Sequence, residues 1–340
     1  MDTLILNENE ADKAAEIIKN GGIVGMPTET VYGLAASAFD PDAIKKIFLA
    51  KGRPADNPLI VHISKLEDVF KVVSKFDEKA KILAKKFWPG PLTIILPKSE
   101  KIPSIVTAGS DSVAVRFPSH SVAKKIIEFS GVPLVAPSAN LSGKPSTTRF
   151  SHVFEDLNGK VDALVDGGDC KFGVESTVIS LLGEVPRILR PGAITPEQIE
   201  KVIGKIQVDD SVFHKIKDGK PVLSPGIKYK HYSPNAEVII LKGEKDHYAD
   251  FVNKISSKEE GVLALCFDED ISLLSVPYIS YGSKNDSFSQ AHNIFDGLRK
   301  ADKIHAKIVY VHYCNTGELS LAVYNRLIRA AGFKVIDLEK

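Results

Sequence analysis

Between residues 22 and 190 the apolar runs are short, and proline or glycine repeatedly interrupts them. Strand-length runs fall at 22–26, 59–63, 92–96, 113–117, 134–136, 163–165, 177–181 and 187–189. The junctions Trp88-Pro89-Gly90-Pro91, Pro97, Pro103, Pro118, Pro133 and Pro137 cannot lie inside central strands, so they cut any sheet into short pieces. Helical periodicity lies between the runs. One stretch, 11–20, is stopped by Gly21-Gly22; another, 41–48, opens on Pro41 behind Asp40 as N-cap; others cover 69–73, 80–87 and 122–129. These patterns predict a mixed α/β sheet with helices over the first two hundred residues.

The last hundred residues alternate differently. Strands at 237–241, 261–267, 278–281, 307–312 and 334–338 are separated by helices at 248–255, 288–301 and 319–331, the rhythm of a small parallel, Rossmann-like sheet. Between the two regions, TPEQIEKVIG (195–204) is a helix with a Thr N-cap and Gln198 at the capping-box position. A polar stretch then ends in SPGIKYKHYSP (224–234), stiff, aromatic and cationic where linkers are usually featureless. The expected division is a catalytic domain at 1–206, a linker at 207–236 and a C-terminal domain at 237–340. A chain of 340 residues is long enough for two domains.

Composition narrows the class. Hydrophobic content of 44% and charged content of 26% are those of a globular protein, and no apolar run reaches a membrane span. The N-terminus has no signal-peptide pattern, and Cys170, Cys266 and Cys314 show no disulfide or zinc spacing, so a cytoplasmic location is expected. A net charge of +1 argues against a broad phosphate footprint, so any RNA contact must be local. GxGxxG, GxxxxGK[ST], GxSxG and HExxH are absent. No nucleophile–base pair stands out, so covalent catalysis is not expected, nor is a metal held by dedicated protein ligands.

One chemical type recurs at the strand ends. Thr28, Glu29 and Thr30 follow the first strand, and Lys51-Gly52-Arg53-Pro54 forms a basic turn before the strand that ends in His62. Arg116 closes VAVR; Ser138 and Asn140 follow the strand at 134–136; Lys144 to Thr148 is rich in hydroxyls. Ser176 enters one strand and Arg190 leaves another. In open α/β sheets such groups converge on a ligand. Four cations (Lys51, Arg53, Arg116, Arg190) with several hydroxyls and amides suit an anionic, triphosphate-bearing ligand held without a P-loop.

PTETVYGL, KGRP followed by NPL, VAVR, PSANLSGKPS, ESTVI and RPG, in this order and spacing, resemble the YrdC-type threonylcarbamoyl-AMP synthase family. The linker SPGIKYKHYSP and the helix AVYNRLIRAAG are similar to its longer, two-domain members. The resemblance implies a YrdC-like twisted mixed sheet with a Rossmann-like C-terminal domain. It also implies a nucleotidyltransferase that condenses L-threonine, bicarbonate or CO₂ and ATP to threonylcarbamoyl-AMP and pyrophosphate, with Mg²⁺ accompanying ATP. A downstream transferase then carries the group to an adenosine of ANN-decoding tRNAs. By motif, Lys51, Arg53, Ser138 and Asn140 form the family's catalytic set. Arg53, Asn57, Ser112, Ser138, Ser146 and Arg190 would hold ATP, and Thr30, His62, Arg116, Ala136 (through its backbone) and Ser176 would hold threonine. Tyr229, His231 and Tyr232 of the linker would close over the nucleotide. The alternative from another class is a non-catalytic RNA-binding module on the same fold. A carbamoyl-transfer role in hydrogenase maturation would need zinc-finger and acylphosphatase-like domains, which this sequence lacks.

Overall fold

The computed structural model describes residues 2–215 and 231–339. Among these the chain forms two compact units, one of residues 2–142 and 146–212, the other of 143–145, 213–215 and 231–339. Tyr229, at the end of the linker, lies outside the described residues.

The first unit is built on eleven strands: β1 (Leu4–Asn7), β2 (Val24–Met26), β3 (Gly33–Ser37), β4 (Ile60–His62), β5 (Leu92–Pro97), β6 (Ser112–Arg116), β7 (Leu134–Val135), β8 (Ala163–Asp166), β9 (Thr177–Ser180), β10 (Arg187–Arg190) and β11 (Gln207–Val208). Their order is β1-β8-β2-β3-β7-β4-β6-β5-β9-β10-β11, and parallel and antiparallel neighbours are mixed. Residues 207–208, which fall in the expected linker, extend the sheet as β11 beside β10. A two-residue strand is too short to show an alternating pattern.

Alternation along the central strands separates two faces. Val61, Ile94, Val115 and Val135 enter the main core, where the helices Pro41–Lys51 and Glu78–Phe87 bury Ile44, Ile47, Leu83 and Ala84. Ile60, Ile95, Ala114, Val178 and Leu189 form a small apolar floor of their own. The same alternation puts His62, Thr93 and Arg116 on the floor's side of the sheet. The helix expected at 41–48 runs on to Lys51, which is therefore a buried helix end and not part of a turn. Gly52 terminates it at φ +58°, a left-handed conformation that glycine takes without steric cost.

The second unit has five strands, β12 (Glu237–Lys242), β13 (Val262–Cys266), β14 (Tyr278–Ser280), β15 (Ile308–Tyr313) and β16 (Val335–Asp337), every adjacent pair parallel. The order β14-β13-β15-β12-β16 interchanges two central strands relative to the dinucleotide-binding fold, consistent with the missing glycine fingerprint. No helix among the described residues is long and apolar enough to cross a membrane.

Candidate active site

Strand register assembles the site. β4 and β6 are parallel with His62 opposite Arg116, and antiparallel β5 sets Thr93 opposite Arg116 on the other side. Three side chains from separate strands therefore meet above the apolar floor. Ser176, at the entry of β9, is 2.8 Å from Thr93, hydroxyl to hydroxyl.

Arg116 is fully enclosed. Its Nη1 donates to the Thr30 hydroxyl at 2.9 Å, and its Nη2 lies 2.7 Å from Glu29 Oε1. Burial disfavours the Glu29 charge, but the Arg116 guanidinium outweighs it and holds the carboxyl below its ordinary range. Thr28 Oγ1 lies 2.9 Å from Thr30 Oγ1 and donates to the Val31 carbonyl at 2.6 Å, which pins the loop after β2. His62 is pushed down to about 3 by burial and then by Arg116, so its imidazole is neutral. Nδ1 is 3.1 Å from the Ile60 carbonyl, which can only accept, so Nδ1 carries the proton and Nε2 is left as an acceptor.

Arg190, at the end of β10, is clamped on the same serine. Its Nε donates to the Ser176 carbonyl and its Nη2 to Ser176 Oγ, both at 3.1 Å. Gly192 makes this approach possible: a Cβ there would lie 2.4 Å from Thr177 N and 2.5 Å from the Glu175 carbonyl. Ser146 Oγ donates to Glu175 Oε1 at 2.5 Å, and both residues are buried.

A further group gathers around the end of the helix Pro41–Lys51. Lys51 Nζ donates to the carbonyls of Ser138 (2.5 Å) and Asn140 (2.6 Å), and Ser138 Oγ donates to Asn140 Oδ1 at 2.5 Å. Lys51 thus shapes the 138–140 turn as well as charging it. Arg53 Nη2 donates to the Asn57 carbonyl at 3.0 Å. The Asn57 side chain is 1% exposed, and neither amide atom has a hydrogen-bond partner among the described residues. Arg116 Nε and Thr147 Oγ1 are likewise buried without hydrogen-bond partners. Orphaned buried polar atoms are rare in folded proteins, and a water, an ion or a ligand is the usual partner.

The structure thus brings together Thr30, His62, Arg116, Ser176 and Arg190, and separately Lys51, Ser138 and Asn140, with Arg53 beside Asn57. Ser112 is bonded to Ser110 (2.9 Å) at the opposite end of β6 from Arg116. Ala136 has its N–H taken up by the Ile60 carbonyl at 3.1 Å. His231 and Tyr232 belong to the second unit, where Tyr232 is buried against Phe295 with ring centroids 5.0 Å apart. Thr93 and Glu175 were not among the sequence candidates, although Glu175 directly precedes Ser176; Glu29 stood in the 28–30 cluster without a role of its own. Among the described residues no group of three or more His, Cys, Asp or Glu could hold a metal ion.

Comparison with known proteins identifies the family. Residues 16–192 match the family model of the Sua5, YciO and YrdC proteins, described as telomere recombination. Residues 194–332 match the model of the threonylcarbamoyl-AMP synthase C-terminal domain. The chain belongs to this family, in its two-domain form. The threonylcarbamoyl-AMP synthase of Pyrococcus abyssi is 44% identical over 348 residues, covering 99% of this chain and all of that protein. The Bacillus subtilis synthase is 43% identical over 337 residues, covering 98% of this chain and 96% of that one. The crystal structure of P. abyssi Sua5 complexed with L-threonine superposes with a TM-score of 0.92 at 42% identity, covering 98% of this chain and 99% of that chain.

Proposed function

We infer that this protein is a threonylcarbamoyl-AMP synthase, condensing L-threonine, bicarbonate or CO₂ and ATP to threonylcarbamoyl-AMP and pyrophosphate. The observation that carries the assignment is the enclosed set around Arg116. A guanidinium prepositioned by Glu29 and Thr30 suits an amino-acid carboxylate. Neutral His62 and the Ser176 hydroxyl, one acceptor and one group of either polarity, suit threonine's hydroxyl and amine. Ala136 would add a backbone contact. Arg53, Asn57, Ser112, Ser138, Ser146 and Arg190 would hold ATP. Ser112 and Arg116 open and close β6, about 13 Å apart at strand rise, room for a nucleotide laid beside the amino acid.

Chemically, the threonine amine adds to bicarbonate with loss of water, and the resulting carbamate oxygen attacks the α-phosphorus as pyrophosphate leaves. Lys51, Arg53 and Arg190 would stabilise the developing charge, while Ser138 and Asn140 orient the phosphates, so positioning and electrostatics do the work. Mg²⁺ would arrive on the phosphates, neutralising part of their charge; among the described residues no carboxylate or histidine cluster is available to hold it. Tyr229, His231 and Tyr232 would close over the nucleotide and exclude water; unchanged product yield in a His231→Ala/Tyr232→Ala variant would dismiss that role. The product, an activated carbamoyl anhydride, calls for a transferase that delivers it to tRNA. The test is the product of a reaction in ¹³C-bicarbonate. One labelled carbon in threonylcarbamoyl-AMP is expected, and AMP formation without label in a threonine adduct would overturn the assignment.

A further inference from the structure

The second unit holds a side-chain cluster that the synthase chemistry does not use. After β12 the chain enters the helix Lys245–Ser256, whose Tyr248 and Val252 pack with Leu241, Ala264 and Cys266 on one face of the sheet. After β15 it enters the helix Ser320–Ala330, which packs with Ser287–Lys303. Gly297 of the latter lies against Leu265, on the other face. β12 and β15 are adjacent, with Leu241 opposite His312, so connections from neighbouring strands diverge to opposite faces. Such a divergence opens a crevice at the carboxyl ends, the usual ligand position in a parallel sheet.

Cys314, His312 and Asp270 stand at that point. His312 is buried at the end of β15, its Nδ1 2.6 Å from Asp270 Oδ2 and its Nε2 3.0 Å from the Gly243 carbonyl. Both partners only accept, so both ring nitrogens carry protons. Burial opposes that charge, but the Asp270 and Cys314 contacts outweigh it and lift the imidazole to about 9. Cys314 Sγ lies 3.8 Å from His312 Nε2 and from the Gly243 carbonyl. It is half-buried, whereas Cys170 and Cys266 are buried. Other ionisable groups around the pair are Tyr248, stacked on the imidazole at 4.4 Å, Tyr281, which donates to the His312 carbonyl at 2.6 Å, Tyr313, whose hydroxyl is pushed up by burial and the nearby Cys314, Cys266 and Lys284. Lys284 is paired with Glu244 at 3.2 Å; burial opposes its charge, and Cys314 and Glu244 more than offset this. The near neighbours His312 and Cys314 and the distant Asp270 thus bring together a thiol, an imidazolium and a carboxylate. A purely structural His–Asp pair would tie β15 to the loop after β13, but it has no use for a reachable sulfur on its outer side.

We propose that Cys314 is a reactive thiol site, with His312 and Asp270 as its positioning residues, and that it exchanges with low-molecular-weight disulfides. Cys314 Sγ attacks one sulfur of the disulfide, forming a new S–S bond. The original S–S bond breaks, and the departing half leaves as a thiolate that takes up a proton. A free thiol reverses the step, so the disulfide is the only oxidant required. A neighbouring imidazolium favours the thiolate that does the attacking.

The experiment follows the rate of 5,5′-dithiobis(2-nitrobenzoate) reaction with the full-length native protein from pH 5 to 10, with glutathione as reference thiol. One fast thiol per chain is expected, lost in Cys314→Ser, with an inflection below that of glutathione. Asp270→Asn is expected to move that inflection upward and slow the reaction about threefold at pH 6.5, the net of a tenfold loss of thiolate and a roughly threefold gain in nucleophilicity that a one-unit rise in thiol pKa brings. Incubation with oxidised glutathione should add one glutathionyl group at Cys314, removable by dithiothreitol. A wild-type inflection at or above that of glutathione would overturn the proposal without reference to any variant. So would a folded Asp270→Asn protein whose profile superposes on wild type.

Discussion

Asn57 offers a direct separation of ligand binding from folding. Its amide is 1% exposed with no hydrogen-bond partner among the described residues. A buried amide left unpaired costs roughly 1–3 kcal/mol. Leucine has the same branching and heavy-atom count without polar atoms, so Asn57→Leu should recover part of that cost in the free protein. For a unit of this size each kcal/mol recovered raises the melting temperature by about 2–4 °C. In the nucleotide complex the same amide would face phosphate or base, where a hydrogen bond to a charged group contributes about 1.5–3 kcal/mol. Its loss therefore lowers threonine-dependent ATP turnover roughly 10- to 150-fold. Differential scanning fluorimetry without ligand, paired with turnover, reads both quantities. A variant that melts lower by several degrees and turns over ATP normally would refute the reasoning and make Asn57 structural.

Arg116→Gln should abolish the response to threonine and, by leaving Glu29 buried alone, destabilise the protein by about 3–5 kcal/mol. Adding Glu29→Gln should restore most of the melting temperature and none of the threonine binding, as checked by calorimetric titration. Stability should fall at both pH extremes, for opposite reasons. His62 has an ordinary value of 6.5 and a folded value near 3, so its contribution is full above pH 6.5 and drains away as pH falls towards 3. His312 is raised to about 9, so its contribution is full below pH 6.5 and is lost as pH rises through 9. His62→Gln should flatten the acid limb and His312→Gln the alkaline limb of melting temperature against pH. Gly192→Ala should cost about 1–3 kcal/mol by overpacking and, by shifting Arg190 from Ser176, lower kcat more than stability loss explains.

The alternating pattern of the second unit was legible because buried parallel strands read as apolar runs between amphipathic helices. Its strand order was not, since nothing local specifies which parallel strands become neighbours. In the first unit the strands missed were those without a pattern, and the helix Phe150–Leu157, though amphipathic, was missed as well. β3 is Gly-Leu-Ala-Ala-Ser, small residues but for one leucine; β1 is an edge strand with Leu4 and Ile5 exposed; β11 is two residues long. Arg116, His62 and Ser176 were visible because each punctuates an apolar run, and the register then explained why they meet. Glu29, Thr93 and Glu175 act by holding other side chains, a role that depends on contacts from 29 to 87 residues away along the chain. The Cys314 cluster was hidden for the same reason, with Asp270 and His312 separated by 42 positions.

The central claim is that the set around Arg116 binds L-threonine as a substrate for adenylation. Pyrophosphate release by the purified protein, with ATP, Mg²⁺ and bicarbonate and with threonine omitted or added, tests it most directly. Release that requires both threonine and bicarbonate, and that serine supports poorly, is the predicted result. ATP turnover indifferent to threonine, or absent in its presence, would contradict the account.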